Sequence, residues 1–517
     1  MTDFSNRSRD VFLIKTDMID RGALMSRYSR TLNLDIRDVY EKEFKDNPER
    51  ASSFYKRIFL DYGDESVAEL TTAQLGIQNI SNVLSKVIEE PRIGLSYLEK
   101  SSRYVKYSRK VNGSYLYLHG RDAGIPEMED EYNKMCTDLF DFYSESYPVM
   151  MKYMEENNPL ESFVFQVGGK NYKYEDLKSA DSDLMEKSYR SSLRSAVLDE
   201  IRSVLPASTL TNMGLSGNGR AFISLIERLN AYGTPESRKY ADMIYSELEP
   251  ELPELIDDAV TSHGKAQVDY INSRDSLGKN IRYNDLVPGR IRLINYMDES
   301  AAIEMATRLL IYQNTGAYGS ASLAPGQEES ILNELASMRA NRRHKIGRAF
   351  ESINYTFEVN MNYGAFREFQ RHRFFSIIRK PLGIDYGYDM PENLAGIPDL
   401  RDRYDRLMLE AAELYGKIRE KYGEKLAQYT VPYAYRYPVV FSANLNELTY
   451  FIELRSNPQV HPDLRRVAFD IYNEIKRVHP RLATLIKFVD QGDYRLGRLP
   501  AEVRKETKKK DLSGAQD

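Results

Sequence analysis

The chain has 517 residues, 42% of them hydrophobic and 29% charged, which is enough for at least two packed domains. Its net charge of -5 argues against a protein that binds duplex nucleic acid, because such proteins usually carry a strongly basic face. The sequence has no run approaching the ~20 apolar residues of a membrane span and no signal-peptide pattern at its start. We therefore expect a cytoplasmic protein whose partners are neither membranes nor nucleic acids.

Helical patterns dominate the chain, and a few short strands in each half complete an α+β fold class. We predict strands at 115–118, at 289–297 and at 353–359, where apolar residues alternate with more polar ones. Two glycines with charged flanks at about 160–185 predict an exposed insertion.

An internal repeat relates the two halves of the chain. Pro206 and Pro432 lie 226 residues apart, and so do Asn218 and Asn444. After one inserted residue the register continues at 227 through further pairs: Arg228 with Arg455, Pro235 with Pro462, and Arg238 with Arg465. Both copies read as a helix ending near an arginine, a turn with a proline, and a second helix.

The repeat predicts the domain organisation. We expect a first domain at 1–265, which carries the insertion, and a second at 284–500. A polar stretch at 262–283 is the predicted linker, and the charged residues 501–517 are predicted to form a mobile tail.

Cysteine and histidine content restricts the chemistry. Cys136 is the only cysteine, so an internal disulfide and a cysteine-based metal site are both excluded, and the residue is predicted to be a small core side chain. The six histidines show no spacing typical of metal ligands. We therefore expect no structural metal.

The densest polar cluster of the second half is Arg371, His372 and Arg373, one helical turn after Arg367 and just before two phenylalanines. A solvated basic helix end explains such a cluster, since cations stabilise a helix C-terminus. A partly buried phosphate or flavin site is the alternative, because arginine forms bidentate, charge-assisted bonds to anions. The residue pattern leaves both interpretations open.

In the first half, Glu99, Ser101 and Arg103 alternate along the chain. In an extended segment they point the same way, so an acceptor, a hydroxyl and a guanidinium could together bind a nucleobase or its phosphate. A polar, solvated strand face is the alternative.

These clusters resemble the signature of the flavin-dependent thymidylate synthases, RHRxxSxNExSxRY. The second half matches its first part through Arg371, His372, Arg373 and Ser376, and the first half matches its second part through Ser96, Glu99, Ser101, Arg103 and Tyr104. A later family pattern, an LP segment, then NAR, then a helix ending in LR, is mirrored in both halves and places Asn444 and Arg455 in the second.

The resemblance implies two tandem copies of the flavin-dependent thymidylate synthase fold, each helix-rich with a small mixed sheet. It implies that reduced FAD delivers hydride to the uracil ring of dUMP, that methylenetetrahydrofolate supplies the carbon, and that NADPH is the reductant. It also implies a homo-oligomer, in which a dimer of this chain equals the family's tetramer.

The resemblance assigns roles to particular residues. FAD binding falls to Arg371, His372, Arg373 and Asn444, and dUMP binding to Glu99, Ser101, Arg103 and Arg202. Arg455 matches the arginine that contacts the uracil and favours its ionised form. Because each half keeps a different part of the signature, we expect composite sites that draw on both halves.

Two departures keep other functions open. The family's histidine after the glutamate of its GHxxxxEH segment is replaced by Leu70 and Ser352, and Gln428 is the second-half counterpart of Arg202. The alternatives are a flavin- or nucleotide-binding enzyme of the same fold with an altered substrate, or a non-catalytic member of the family.

Overall fold

The structure is a computed structural model. It describes residues 3–5, 14–16, 18–28, 31, 35–47, 50–51, 65–91, 93–103, 105–167, 170–279, 281, 289–316, 318–319 and 323–514. The chain divides into two compact units, each discontinuous in sequence. Unit 1 comprises Met1–Lys100, Tyr117–Glu129 and Ser208–Asn284, and unit 2 comprises Ser101–Leu116, Asp130–Ala207 and Asp285–Asp517. The predicted domains at 1–265 and 284–500 are defined by the internal repeat, whereas these two units are defined by compactness alone. The division into two repeated domains therefore stays a prediction.

Unit 1 is built on a three-stranded antiparallel sheet in the order β1-β5-β2. The strands are β1 (Thr72–Ser81), β2 (Leu95–Glu99) and β5 (Leu210–Asn218). The helices are α1 (Met18–Tyr28), α2 (Ile36–Glu43), α3 (Asn82–Ile88), α6 (Gly219–Tyr232), α7 (Pro235–Leu248), α8 (Pro253–Ile256) and α9 (Ser262–Asp275). The apolar faces of the sheet and of α6 and α7 meet in one core, which includes Phe222 and Ile226.

Unit 2 contains a four-stranded antiparallel sheet in the order β6-β7-β9-β8. Its strands are β6 (Ile291–Asn295), β7 (Asn354–Asn362), β8 (Ser376–Ile378) and β9 (Arg436–Asn444), and a separate hairpin is formed by β3 (Val164–Val167) and β4 (Lys170–Lys173). The longer helices are α4 (Glu129–Asn157), α5 (Ser179–Ile201), α10 (Glu299–Thr315), α11 (Gln327–Met338), α14 (Pro398–Tyr422), α16 (Leu445–Arg455), α17 (Pro462–Val478) and α18 (Leu499–Gly514). The short helices are α12 (Tyr363–Phe369), α13 (Glu392–Ala395) and α15 (Glu424–Ala427).

Side-chain caps explain where the helices begin. Asn218 accepts a hydrogen bond from the backbone N–H of Ala221 at 2.9 Å, and Asn444 accepts one from Glu447 at 2.9 Å. Both bonds satisfy N–H groups that the first helical turn leaves without an internal partner. Pro235 and Pro462 occupy the first turns of α7 and α17, where a missing N–H costs nothing.

An aromatic cluster fixes the turn that follows α12. Phe369 packs against Phe451 of α16 at a ring-centroid distance of 5.5 Å, and Phe375 packs against Phe441 of β9 at 5.0 Å. Residues 371–373 lie between these two anchored phenylalanines. Their backbone is therefore held by the core, although Arg371 is on the surface.

Several sequence predictions are confirmed. Strands form within 289–297 and 353–359, the helix–turn–helix pattern appears in both copies, and Cys136 is buried in α4. The α+β class is confirmed for the described residues. The predicted insertion near 160–185 contains the β3–β4 hairpin.

Other predictions need correction. The sheets are antiparallel in every strand pairing described, not mixed. Residues 115–118 make a single bridge, Tyr117 with Thr209, instead of a regular strand. Much of the predicted linker is the helix α9, and residues 501–514 of the predicted tail belong to α18, which packs on α5 through the ion pair of Lys187 with Glu506.

The two units share a local arrangement around β5 and β9. Each of these strands has nine residues and ends at the asparagine that caps the next helix. The residue before each strand bridges to a tyrosine, Thr209 to Tyr117 and Tyr435 to Tyr388. This likeness agrees with the predicted duplication, which stays a prediction.

No helix in the described part of the chain combines the length and the apolar character that crossing a bilayer requires.

Candidate functional site

Three predicted site residues of unit 2 contact one residue, Glu368 on α12, two of them through its carboxylate. Arg103 donates from Nη1 to Glu368 Oε2 at 3.1 Å, and Arg202 donates from Nη2 to Glu368 Oε1 at 3.2 Å. Arg455 approaches the backbone oxygen of Glu368 at 3.5 Å through Nη2. Arg103 and Arg202 of the first predicted half and Arg455 of the second therefore share Glu368 as a partner. The composite site stays a prediction.

A second carboxylate, Asp199 on α5, holds the other side of Arg103. Arg103 donates from Nε to Asp199 Oδ1 at 2.8 Å and from Nη2 to Oδ2 at 2.7 Å, which is a bidentate pair. Arg498 adds a bond to Asp199 Oδ2 at 3.1 Å, and His461 contacts the Asp199 carbonyl at 3.1 Å. Each of these four side chains is buried.

A hydroxyl links Arg202 to one further arginine, Arg367. Ser102 accepts from Arg202 Nη1 at 3.3 Å and from Arg367 Nη1 at 3.1 Å. We name the set Arg103, Asp199, Arg202, Arg367, Glu368 and Arg498 the buried charge cluster. Its arginines outnumber its carboxylates by four to two.

The arginines keep both carboxylates ionised. Burial alone would raise the pKa of Glu368, but the charges of Arg103 and Arg202 outweigh it and lower the pKa to about 2. The same balance, dominated by Arg103, lowers the pKa of Asp199. Burial lowers the pKa of His461, and the charge of Arg202 lowers it further, so the imidazole is neutral near pH 7.

The depressed pKa of Glu368 predicts a pH dependence of stability. The folded-state pKa of about 2 lies below the ordinary value of 4.5, so the contribution is complete above about pH 5 and is lost as the pH falls towards 2. We expect Glu368→Gln to remove on the order of 3 kcal/mol of this dependence. Urea denaturation of both proteins at pH 7, 5 and 3 measures it. Parallel losses of stability with acid in wild type and variant would contradict the assignment.

Arg455 ends α16 and binds the predicted flavin histidine. Its Nε donates to His372 Nε2 at 2.8 Å. Burial lowers the pKa of His372 well below its usual value, and the neighbouring Arg455 charge lowers it further. His372 is therefore a neutral acceptor that orients the guanidinium of Arg455.

The turn after α12 presents cations beside apolar surface. Arg371 is exposed and Arg373 half-buried. Phe374 and Ile378 are 75% and 73% exposed, which is unusual for large apolar side chains so close to a packed aromatic cluster. We name these four residues the Arg371 surface.

A cavity of about 840 Å³ in unit 2 borders the buried charge cluster. Arg202, Asp199, His461 and Arg498 contribute to its wall. Tyr388 and Phe469 are among the aromatic residues that line it. Its size and mixed polar and aromatic lining suit a nucleotide-sized ligand.

The comparison with known families identifies the chain. The family model described as thymidylate synthase complementing protein matches residues 20–254 and 292–481. The chain belongs to this family. The resemblance deduced from the split signature is thereby confirmed at the level of the family.

The proteins to which this chain is similar carry two different names. A UPF0159 protein of Thermoplasma acidophilum is 54% identical over 95% of this chain and 99% of its own length. A UPF0159 protein of Chlamydia muridarum is 32% identical over 97% of this chain and 96% of its own. A flavin-dependent thymidylate synthase of Pyrococcus abyssi is 22% identical over 39% of this chain and 85% of its own.

Other predicted site residues of this family member have partners close to them in sequence. Glu99 is in unit 1, where it accepts from Lys86 Nζ at 2.9 Å and from Ser85 at 3.1 Å. Ser101 is in unit 2, and its hydroxyl accepts the N–H of Arg103 at 3.2 Å. Asn444 caps α16, about 16 Å along the helix axis from Arg455. Tyr104 lies outside the described residues.

Sequence reasoning missed both carboxylates of the cluster. Asp199 and Glu368 carry no motif, and their partners are distant in sequence, 96 residues from Arg103 to Asp199 and 265 from Arg103 to Glu368. A weak signal was available, since Glu368 directly follows Arg367 and precedes His372 by four residues, one helical turn.

Proposed function

We propose that this chain is a flavin-dependent enzyme that methylates the uracil ring of a nucleotide, converting dUMP to dTMP with methylenetetrahydrofolate as the carbon donor. The observation that carries the proposal is the convergence of Arg103, Arg202 and Arg455 on Glu368. These three arginines stand in separate motifs that resemble those of the flavin-dependent thymidylate synthases. Because the chain belongs to the thymidylate synthase complementing protein family, the three are expected to act on one substrate. The flavin-dependent thymidylate synthase of Pyrococcus abyssi supports the same activity.

The Arg371 surface fits a flavin. Its two arginines match the anionic pyrophosphate of FAD, and Phe374 and Ile378 offer apolar area to a planar ring. When bound, reduced FAD supplies hydride. In this proposal Arg371 and Arg373 hold the cofactor, while His372 faces inward and holds Arg455.

Arg455 is the proposed catalytic residue. Its guanidinium is fixed by the neutral His372 and carries a positive charge in a largely buried environment. A fixed cation beside a uracil ring stabilises negative charge that develops on the ring oxygens, and it does so more effectively away from water. No cysteine nucleophile is required, which agrees with the burial of Cys136 in α4.

A symmetric backbone pairing supports the proposed duplication. In unit 2, Ala207 donates its N–H to the Val431 oxygen at 2.9 Å, and Tyr433 donates to the Leu205 oxygen at 3.0 Å. Ala207 and Tyr433 lie 226 residues apart, and so do Leu205 and Val431. The two bonds therefore join equivalent positions, with the N–H donor in the first copy in one bond and in the second copy in the other. Two equivalent segments that pair in this way are expected when a homodimeric contact becomes part of one chain.

Three further parts belong to the proposal. We propose that NADPH is the reductant, that the chain forms a homodimer and that its location is cytoplasmic.

One observation favours a second candidate, an enzyme of this family with an altered substrate. Asp199 and Glu368 already occupy the arginines assigned to dUMP. Leu70 and Ser352 also replace the family's histidine. Flavin binding is common to both candidates, and turnover of dUMP distinguishes them.

Titration of FAD tests the flavin assignment. We expect Arg371→Ala to weaken FAD binding ten- to hundredfold, because a charge-assisted hydrogen bond contributes ~1.5–3 kcal/mol. Arg401→Ala is the matched control, since Arg401 is a surface arginine paired with Asp402. The change in the visible flavin spectrum reports binding. Equal affinities of the three proteins, or no binding by wild type, would refute this assignment.

A further inference from the structure

A second cavity, of about 540 Å³, lies within unit 1, and we name it the unit 1 cavity. It is bordered by the β-bulge of β1, by α7 and by residues 117–122. Gln78 and Asn79 of the bulge are in its wall, and the hydroxyl of Tyr240 lies 2.7 and 3.0 Å from their carbonyl oxygens. Its volume is within the range of small-molecule sites. None of its lining residues belongs to the Arg371 surface or to the cavity of unit 2.

The unit 1 cavity occupies the place in its sheet that the 840 Å³ cavity occupies in the sheet of unit 2. Strand pairing sets Leu210 opposite Ser81 in unit 1, and Arg436 opposite Asn362 in unit 2. Ser81 and Asn362 each cap the helix that follows their strand. Leu210 lines the unit 1 cavity, and Arg436 lines the cavity of unit 2. At this corresponding position an arginine in unit 2 is therefore replaced by a leucine in unit 1.

A carboxylate is kept at this place in both units. Glu236 accepts the N–H and the hydroxyl of Ser81 at 2.7 and 2.6 Å, and Asp463 accepts a side-chain N–H of Asn362 at 2.6 Å. Each carboxylate belongs to the second residue of its helix, α7 or α17, and each lines its cavity. The correspondence therefore extends from the strands to the helices.

The charges around the two cavities differ. Among the described residues that line the cavity of unit 2, six arginines balance six carboxylates. Among those that line the unit 1 cavity, one lysine, Lys239, is set against the carboxylates of Asp122, Glu236 and Glu247. Asp122 and Glu247 form no ion pair with any other described residue. Burial, together with the charges of Glu236 and Asp122, raises the pKa of Tyr240 to about 12, as expected in a negative potential.

Aromatic rings complete the wall of the unit 1 cavity. The rings of Tyr117 and His119 lie 4.7 Å apart between centroids, and both line the cavity together with Tyr240. The face of an aromatic ring attracts a cation within about 6 Å. Carboxylates and aromatic faces together attract organic cations, whereas the carboxylates repel phosphates and other anions.

We propose that the unit 1 cavity is a second ligand site of this protein, and that it takes an organic cation, a protonated amine or guanidinium carried on an apolar or aromatic body. Asp122, Glu236 and Glu247 attract the cationic group. Tyr117 and Met243 contact the body of the ligand. The site is separate from the proposed methylation of a uracil nucleotide, so its failure leaves that proposal intact.

Methionine-methyl NMR of the full chain tests the inference with three small probes. Met243 lines the cavity and is 50% exposed, and its signal is assigned by its loss in Met243→Leu. Benzylamine, benzyl alcohol and benzoate each carry one phenyl ring and differ in charge. We expect benzylamine to shift the Met243 signal with a Kd about tenfold or more below that of benzoate, and benzyl alcohol to bind with an intermediate Kd. Benzoate binding as tight as that of benzylamine, or a Met243 signal that none of the probes shifts, would overturn the inference.

Charge variants test the role of the carboxylates. Asp122 and Glu247 are exposed, so the double variant Asp122→Asn with Glu247→Gln avoids the buried contact of Glu236 with Ser81. We expect the double variant to raise the Kd of benzylamine about tenfold and to leave that of benzyl alcohol unchanged. Glu251→Gln is the matched control, because Glu251 is an exposed carboxylate of unit 1 outside the cavity lining. An unchanged Kd of benzylamine in the double variant, or an equal loss in Glu251→Gln, would contradict the assignment.

Discussion

Replacement of Arg103 by alanine is expected to lower the free energy of unfolding by about 3–5 kcal/mol, the largest stability loss that we predict for a single substitution. The side chain is buried, and its removal leaves Asp199 and Glu368 with fewer cations in an interior that solvates charge poorly. Both carboxylates then either remain ionised at high cost or take up protons.

Urea denaturation followed by circular dichroism measures the effect. Arg401→Ala should change stability by less than about 0.5 kcal/mol, as expected for a surface arginine. The loss in Arg103→Ala should become smaller at acid pH, because protonation of the carboxylates removes the uncompensated charge. A loss below about 1 kcal/mol at pH 7 would show that the cluster is solvated.

Replacement of Arg455 by lysine is expected to lower kcat about a hundredfold while the Kd for the nucleotide changes less than about threefold. Lysine retains the charge but lacks the planar fork, so it cannot bind His372 and the ligand at once in a fixed direction. A group that acts mainly on the transition state affects turnover more than binding.

The alternative for Arg455 is a cation that only stabilises the end of α16. Arg477→Lys is the control for this alternative, since Arg477 lies in the last turn of α17 and pairs with Glu474 at the surface. Single-turnover rates and equilibrium titrations of both variants separate the two roles. Turnover of Arg455→Lys at the wild-type level would leave Arg455 as a helix-end cation.

Local chemistry made much of the fold predictable from sequence. Pro235 and Pro462 lie in the first turn of the second helix of each copy, where the predicted turn with a proline places them. Asn218 and Asn444 cap the first helix of each copy, a role that the sequence analysis did not assign to them. The alternation of residues 353–359 predicts β7 because one face of that strand is buried. These signals are contained within a few residues.

The remaining elements depend on distant partners. Residues 501–514 are charged along their length, yet α18 is held against α5 by Lys187 and Ser191, which sequence reading could not associate with it. Residues 115–118 have strand-like composition, but they make only an isolated bridge, Tyr117 with Thr209, so no regular strand forms. In both cases tertiary contacts decide the structure.

The candidate site was predictable only in its arginines. Arg103, Arg202 and Arg455 stand in motifs, whereas the acids that neutralise two of them do not. A motif specifies which cations a family uses, but the charge that surrounds them depends on how separate segments fold together. Whether the arginines bind substrate is therefore a question about Asp199 and Glu368 as much as about the arginines.

Formation of dTMP by the purified wild-type protein is the most direct test of the proposed function. The protein is incubated with dUMP, methylenetetrahydrofolate, FAD and NADPH, and the nucleotides are separated by chromatography. We predict that dTMP accumulates over many turnovers and that omission of either FAD or methylenetetrahydrofolate abolishes it. Absence of dTMP from the complete mixture, with the flavin bound, would contradict thymidylate synthesis.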